Sequence, residues 1–151
     1  MKLRELLEGT WSGSGIGSYP EVAEFSYREV LRFESNGRPF LRMKQRTTGP
    51  DGSPLHTEVG YLRFPASDRV ELVVAQPTGI VEVLEGSVVE SVSGLVVTLT
   101  SLLVGATPSA KRVDSTQRSF RLEGDELVSE LWMDAMGRGF HKHLESHLRR
   151  E

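Results

Sequence analysis

Cysteine is missing from all 151 residues. Its absence excludes disulfides, zinc fingers, thiolate nucleophiles, iron–sulfur clusters and thioether-linked haem, so any metal must rely on histidine or carboxylate. Long apolar runs are missing too. Nothing approaches the roughly 20 residues that cross a bilayer, and the opening MKLRELLEG has neither the apolar stretch nor the cleavage site of a secretory signal. These features predict a cytoplasmic protein that does not enter a membrane. There is also no excess of positive charge: 18 Lys and Arg stand against 21 Asp and Glu, a net charge of -3. Without a basic surface the electrostatic drive toward nucleic acid is lost, and no such partner is expected. The length suits one domain spanning 1–151. Nothing in the composition decides the oligomeric state, and a homodimer stays open.

Helical periodicity is nearly absent as well; only LRELL, with Leu3, Leu6 and Leu7 on one side, reads as a helical turn or two. Short alternating segments recur instead, separated by turn residues. EFSYREVLRFE puts Phe25, Tyr27, Leu31 and Phe33 on one face, and SNGR then supplies the Asn-Gly pair that favours a tight hairpin into PFLRMKQRTT. LHTEVGYLRF, VELVVAQ, IVEVLEGSVVE, GLVVTLTSLLV, RVDSTQRSFRL, DELVSELWMDAM and FHKHLESHLRR continue the series. Counting the first segment, about ten strands follow one another with no βαβ unit between them. The fold class is all-β. An antiparallel meander of this length removes its exposed edges most simply by closing into a barrel.

The first strand, GTWSGSGIGSYP, is rich in glycine, and Gly9, Trp11, Gly13, Gly15, Gly17 and Tyr19 share one parity. A dinucleotide loop requires G-x-G-x-x-G between a strand and a helix, whereas here G-x-G-x-G runs into Tyr-Pro and another strand. Two explanations remain. The glycines let the strand bend and pack closely, or they leave a bare face for a flat ligand bordered by Trp11 and Tyr19.

The same segment resembles the start of the nitrobindins, whose mark G-x-W-x-G-x-G is matched by Gly9, Trp11, Gly13 and Gly15. PLHTEVGYLR, VELVVAQPTGIVEV and HKHLESHLRR are similar to later segments of that family in the same order, so the resemblance covers nearly the whole chain. It implies a closed antiparallel ten-stranded barrel, similar to lipocalins and fatty-acid-binding proteins, holding one non-covalent haem b. It further implies isomerisation of peroxynitrite to nitrate at ferric iron and binding of nitric oxide at ferrous iron. Four histidines are available, and the family's axial position, before a leucine at the start of the last strand, falls on His143. His141 and His147 are its local rivals. The resemblance also puts Leu55 and His56 near the haem, with Gln76 a further pocket candidate and the Gly9, Trp11, Gly13 and Gly15 face beside the porphyrin. His56 could instead pair with Glu58, and Gln76 could cap a turn. Lys111, Arg112 and Thr116 are candidates to meet the propionates at the mouth.

Two other readings compete. A barrel of this kind could carry a fatty acid or another lipophile, its carboxylate met by Arg42, Arg46 or Arg118. The H-x-H-x3-H spacing of His141, His143 and His147 could alternatively supply three nitrogens to zinc, if a turn in the strand made them converge.

Overall fold

Alternation of inward and outward side chains builds nearly all of this molecule. The computed structural model describes residues 2–151. It has a short helix, α1 (Lys2–Leu7), followed by β1 (Gly9–Tyr19), β2 (Val22–Glu34), β3 (Phe40–Thr48), β4 (Pro54–Ala66), β5 (Arg69–Ala75), β6 (Ile80–Glu90), β7 (Leu95–Ala106), β8 (Val113–Glu123), β9 (Glu126–Ala135) and β10 (Phe140–Arg150). Every strand pairs antiparallel with its sequence neighbour, and β1 also pairs with β10, which closes the barrel. Closure leaves no edge strand to attract other chains. The expected hairpin after β2 is wider than an Asn-Gly turn: the connection occupies 35–39, because Pro39 has no N–H for the ladder. No helix among the described residues is long and apolar enough to cross a membrane.

One end of the barrel is sealed. Leu3 and Leu7 of α1 pack with Trp11, Leu31, Phe33, Leu41 and Leu148 in a continuous core. Leu6, expected on the same side, turns outward and is 36% exposed. Carbonyls near the end of α1 lack helical partners. The Trp11 indole N–H donates to the Leu7 carbonyl at 2.9 Å, while the Arg150 guanidinium donates to the carbonyls of Leu6 and Glu8 and lies over the Trp11 ring, 4.2 Å from its centroid.

The glycines of β1 are required by close approach. A Cβ at Gly13 would stand 2.0 Å from the His147 carbonyl oxygen on β10, and one at Gly15 would stand 2.3 Å from Cζ of Tyr27. Both distances are impossible, so the backbone face is bare because β10 and the aromatic rings of β2 lie directly on it. A bulge in β10 between Lys142 and Leu144 then changes the parity of the last strand. His143 is the extra residue of the bulge and faces in; Ser146 and Leu148 face in after it.

Candidate functional site

Opposite the sealed end, the barrel opens on a cavity of about 820 Å³. Its mouth is lined by Tyr19, Leu55, His56, Lys111, Arg138 and His143, and its floor by Leu31, Met43 and Phe120. The bulge in β10 delivers His143 to the wall, 8% exposed. Nδ1 of His143 lies 2.9 Å from the Ser18 carbonyl oxygen, which can only accept, so Nδ1 carries the proton and donates. That bond leaves Nε2 with its lone pair and without a hydrogen-bond partner among the described residues. Tyr19 packs on the ring with centroids 4.1 Å apart, and Phe25 approaches edge-on at 6.4 Å. Burial pushes the imidazole below its ordinary range and keeps it neutral, the form a metal requires. A fixed tautomer with the second nitrogen held by a carbonyl is how ligating histidines are oriented.

The other histidines are placed differently. His141 also lines the cavity, with Nδ1 3.0 Å from the Gly139 carbonyl oxygen, but its Nε2 is enclosed by protein. His147 follows the bulge and therefore points outward, its Nε2 2.9 Å from Glu145. The three nitrogens of H-x-H-x3-H thus fail to converge, and zinc ligation by this trio is ruled out by the register of β10. His56 and Leu55 both line the cavity, and His56 also meets Glu58 at 3.4 Å.

Gly9, Trp11, Gly13 and Gly15 do not belong to the cavity wall. Trp11 is in the sealed end, and the Gly15 position is covered by the Tyr27 ring, which is what the cavity meets instead. Gln76 and Thr116 line the cavity, but they are committed to Glu82: the Gln76 amide and the Thr116 hydroxyl each donate to it at 2.6 Å. Thr116 is therefore a buried partner of a carboxylate rather than a donor at the mouth. Lys111 does stand at the mouth and has no carboxylate within ion-pair distance among the described residues, while Arg112 pairs with Asp114 and Arg138 with Glu21.

Below the mouth lies a polar layer in which Glu29, Glu82 and Ser146, none of them expected at the site, join Arg118 and Glu58. Arg118 is buried between two carboxylates. Its Nη1 and Nη2 donate to Glu58 at 2.5 and 3.2 Å, and its Nη2 and Nε donate to Glu82 at 2.5 and 3.2 Å. Burial works against every charge here. The Arg118 guanidinium outweighs it at Glu58, which is held at about 2, and both carboxylates keep Arg118 protonated. On the facing wall, Tyr27 and Ser146 are 2.7 Å apart, and the Ser146 hydroxyl donates to Glu29 at 2.7 Å. Burial pushes Glu29 up to about 7 and Tyr27 up to about 12. The sequence signal for these residues was parity: Glu29 interrupts the inward series Tyr27, Leu31, Phe33, and Glu82 separates Ile80 from Leu84.

This geometry also disposes of the carboxylate-carrier arrangement. Arg42 and Arg46 are on the outer surface, and the four donations of Arg118 are already accepted by protein carboxylates.

Residues 2–150 match the THAP4-like, heme-binding beta-barrel domain. A peroxynitrite isomerase of Nocardia farcinica is 45% identical, the alignment covering 96% of this chain and 87% of that protein. Peroxynitrite isomerase 2 of Mycobacterium ulcerans is 44% identical over 96% of this chain and 91% of its own. The crystal structure of Rv2717c from M. tuberculosis superposes with a TM-score of 0.95 at 38% identity, covering 99% of this chain and 96% of that one. Matching family segments, a ten-stranded closed barrel and a mouth-lining histidine with one nitrogen free agree, and the chain belongs to the THAP4-like haem-binding β-barrel family, the nitrobindins.

Proposed function

We propose that this protein binds one haem b in the mouth of the barrel and isomerises peroxynitrite to nitrate, with nitric oxide as a second ligand of the reduced iron. The observation that carries this reading is His143, buried at the cavity wall with its Nδ1–H spent on the Ser18 carbonyl and Nε2 free. When bound, haem supplies the Lewis-acidic ferric centre at which the peroxynitrite O–O bond is rearranged. The protein's own contribution begins with His143, which would hold the iron. Ser18 fixes its tautomer, and Tyr19 and Phe25 restrict its rotation. Ile80, Leu131 and Met133 supply apolar wall for the macrocycle and exclude water. Lys111 and His56, at the mouth, would meet the anionic propionates, and the Lys111 charge would also attract an anionic substrate. Leu55 completes the rim beside them.

The test is absorption spectroscopy of the hemin-loaded chain. His143→Ala should change the Soret and ligand-field bands, accelerate haem transfer to an apo-globin and lower peroxynitrite conversion. His147→Ala should leave all three close to the parent, because that ring faces solvent and Glu145. An unchanged spectrum in His143→Ala would refute the ligation.

A further inference from the structure

The inner chamber of the barrel, below the mouth, has a one-sided inventory of polar groups. Most of its donors are spent on its own carboxylates: the Ser146 hydroxyl and the Gln45 amide on Glu29, the Thr116 hydroxyl and Gln76 amide on Glu82, and Arg118 on Glu58 and Glu82. Since the single Ser146 proton goes to Glu29, the Tyr27 hydroxyl must be the donor to Ser146, and that proton is spent too. Acceptor capacity is what remains. Glu29, 4% exposed and lining the cavity, accepts from Ser146 through Oε1 and also from the Gln45 side chain, whose own Oε1 is buried without a hydrogen-bond partner among the described residues. The Tyr27 oxygen also retains a lone pair facing the same space. Charge points the same way, for three carboxyl groups face one guanidinium, and Glu29 alone has no cation bonded to it. Around this polar spot Leu31, Met43 and Phe120 form an apolar floor.

We propose that the inner chamber is a second ligand subsite, distinct from the haem position, which takes a primary ammonium group on a short alkyl chain. Glu29, Gln45 Oε1 and the Tyr27 oxygen accept from the ammonium, and Leu31, Met43 and Phe120 cover the chain. An ammonium presents three donors and no acceptor, the complement of this wall. A carboxylate of equal length would be repelled by Glu29, and the one guanidinium of the layer is already paired with Glu58 and Glu82. The subsite is separate from His143, whose hydrogen bond and ring contacts among the described residues are with Ser18, Tyr19 and Phe25.

Calorimetry with n-octylammonium and octanoate at pH 8, on the full chain before and after hemin loading, provides the test. Octylammonium should bind at least tenfold more tightly than octanoate in both forms, and Glu29→Gln should lose at least tenfold of that affinity. Octanoate binding equally or better would overturn the subsite, whatever the hemin result. Should Glu29→Gln fail to fold, nuclear Overhauser contacts in the parent decide. Contacts from the octyl chain to Leu31, Met43 and Phe120 support the proposal; contacts confined to the mouth refute it.

Discussion

Gly15 and Arg118 show what one inward position can carry in this barrel. At Gly15 the space belongs to Tyr27, whose hydroxyl holds Ser146 and, through it, Glu29. Gly15→Val should therefore destabilise the chain by about 1–3 kcal/mol through overpacking, since the ring has to move. It should also perturb the titration of Glu29, observable by carboxyl-carbon NMR; a shifted melting temperature with an unchanged Glu29 titration would show that the ring had relaxed without breaking the chain of hydrogen bonds. At Arg118 the loss is electrostatic. Arg118→Met leaves Glu58 and Glu82 buried without their cation, and breaking a buried pair in this manner costs about 3–5 kcal/mol. Urea unfolding should show a lower midpoint with an unchanged slope. Adding Glu58→Gln and Glu82→Gln should restore much of it, because the uncompensated charges are then gone.

At the scale of elements, α1 and β10 divide the labour. The helix is too short to be stable alone and depends on packing into the barrel end. Trp11→Phe keeps the apolar ring but leaves the Leu7 carbonyl without its buried donor, which should cost about 1–3 kcal/mol. Hemin affinity should be unaffected, since Trp11 lies at the sealed end; a tenfold loss would put the glycine–tryptophan strand back at the cofactor. β10 does the opposite work. Its bulge turns His143 into the cavity and sends His147 out to solvent, so two similar His-Leu pairs acquire different environments. Alternation alone predicts one face for His141, His143 and His147. A bulge adds one residue to one strand of a pair and inverts parity beyond it, and nothing in HKHLESHLRR announces where it falls.

For the whole molecule, the polar layer makes stability depend on pH in two opposite windows. Glu29 is raised to about 7, so the folded chain holds this proton more tightly than the unfolded chain. Its contribution is complete below the unfolded value of 4.5 and is lost as pH rises through 7. Glu58 is held at about 2, so its contribution is present above 4.5 and is lost as pH falls toward 2. Removing the Glu29 charge isolates the first window: relative to the parent, Glu29→Gln should gain on the order of 3 kcal/mol between pH 4.5 and 8, read from urea midpoints of the hemin-free chain. A constant difference across that range would mean that Glu29 is ionised throughout.

What the sequence by itself determined is the barrel. Ten alternating segments with turn residues between them, and no helix long enough to cover a sheet, leave an antiparallel meander whose inner faces can be buried only by closing. The glycine-rich first strand, with PLHTEVGYLR, VELVVAQPTGIVEV and HKHLESHLRR following in order, carried the resemblance to the family. Tertiary structure decided which side of each strand faced what. The glycine face was legible as bare, but that Tyr27 would lie on it depends on the register of β1 against β2. Glu29, Glu58, Glu82 and Arg118 come from four strands separated by dozens of residues, and only closure brings them into one layer, where exclusion of water turns ordinary surface charges into a paired triad and a carboxyl that titrates near neutrality.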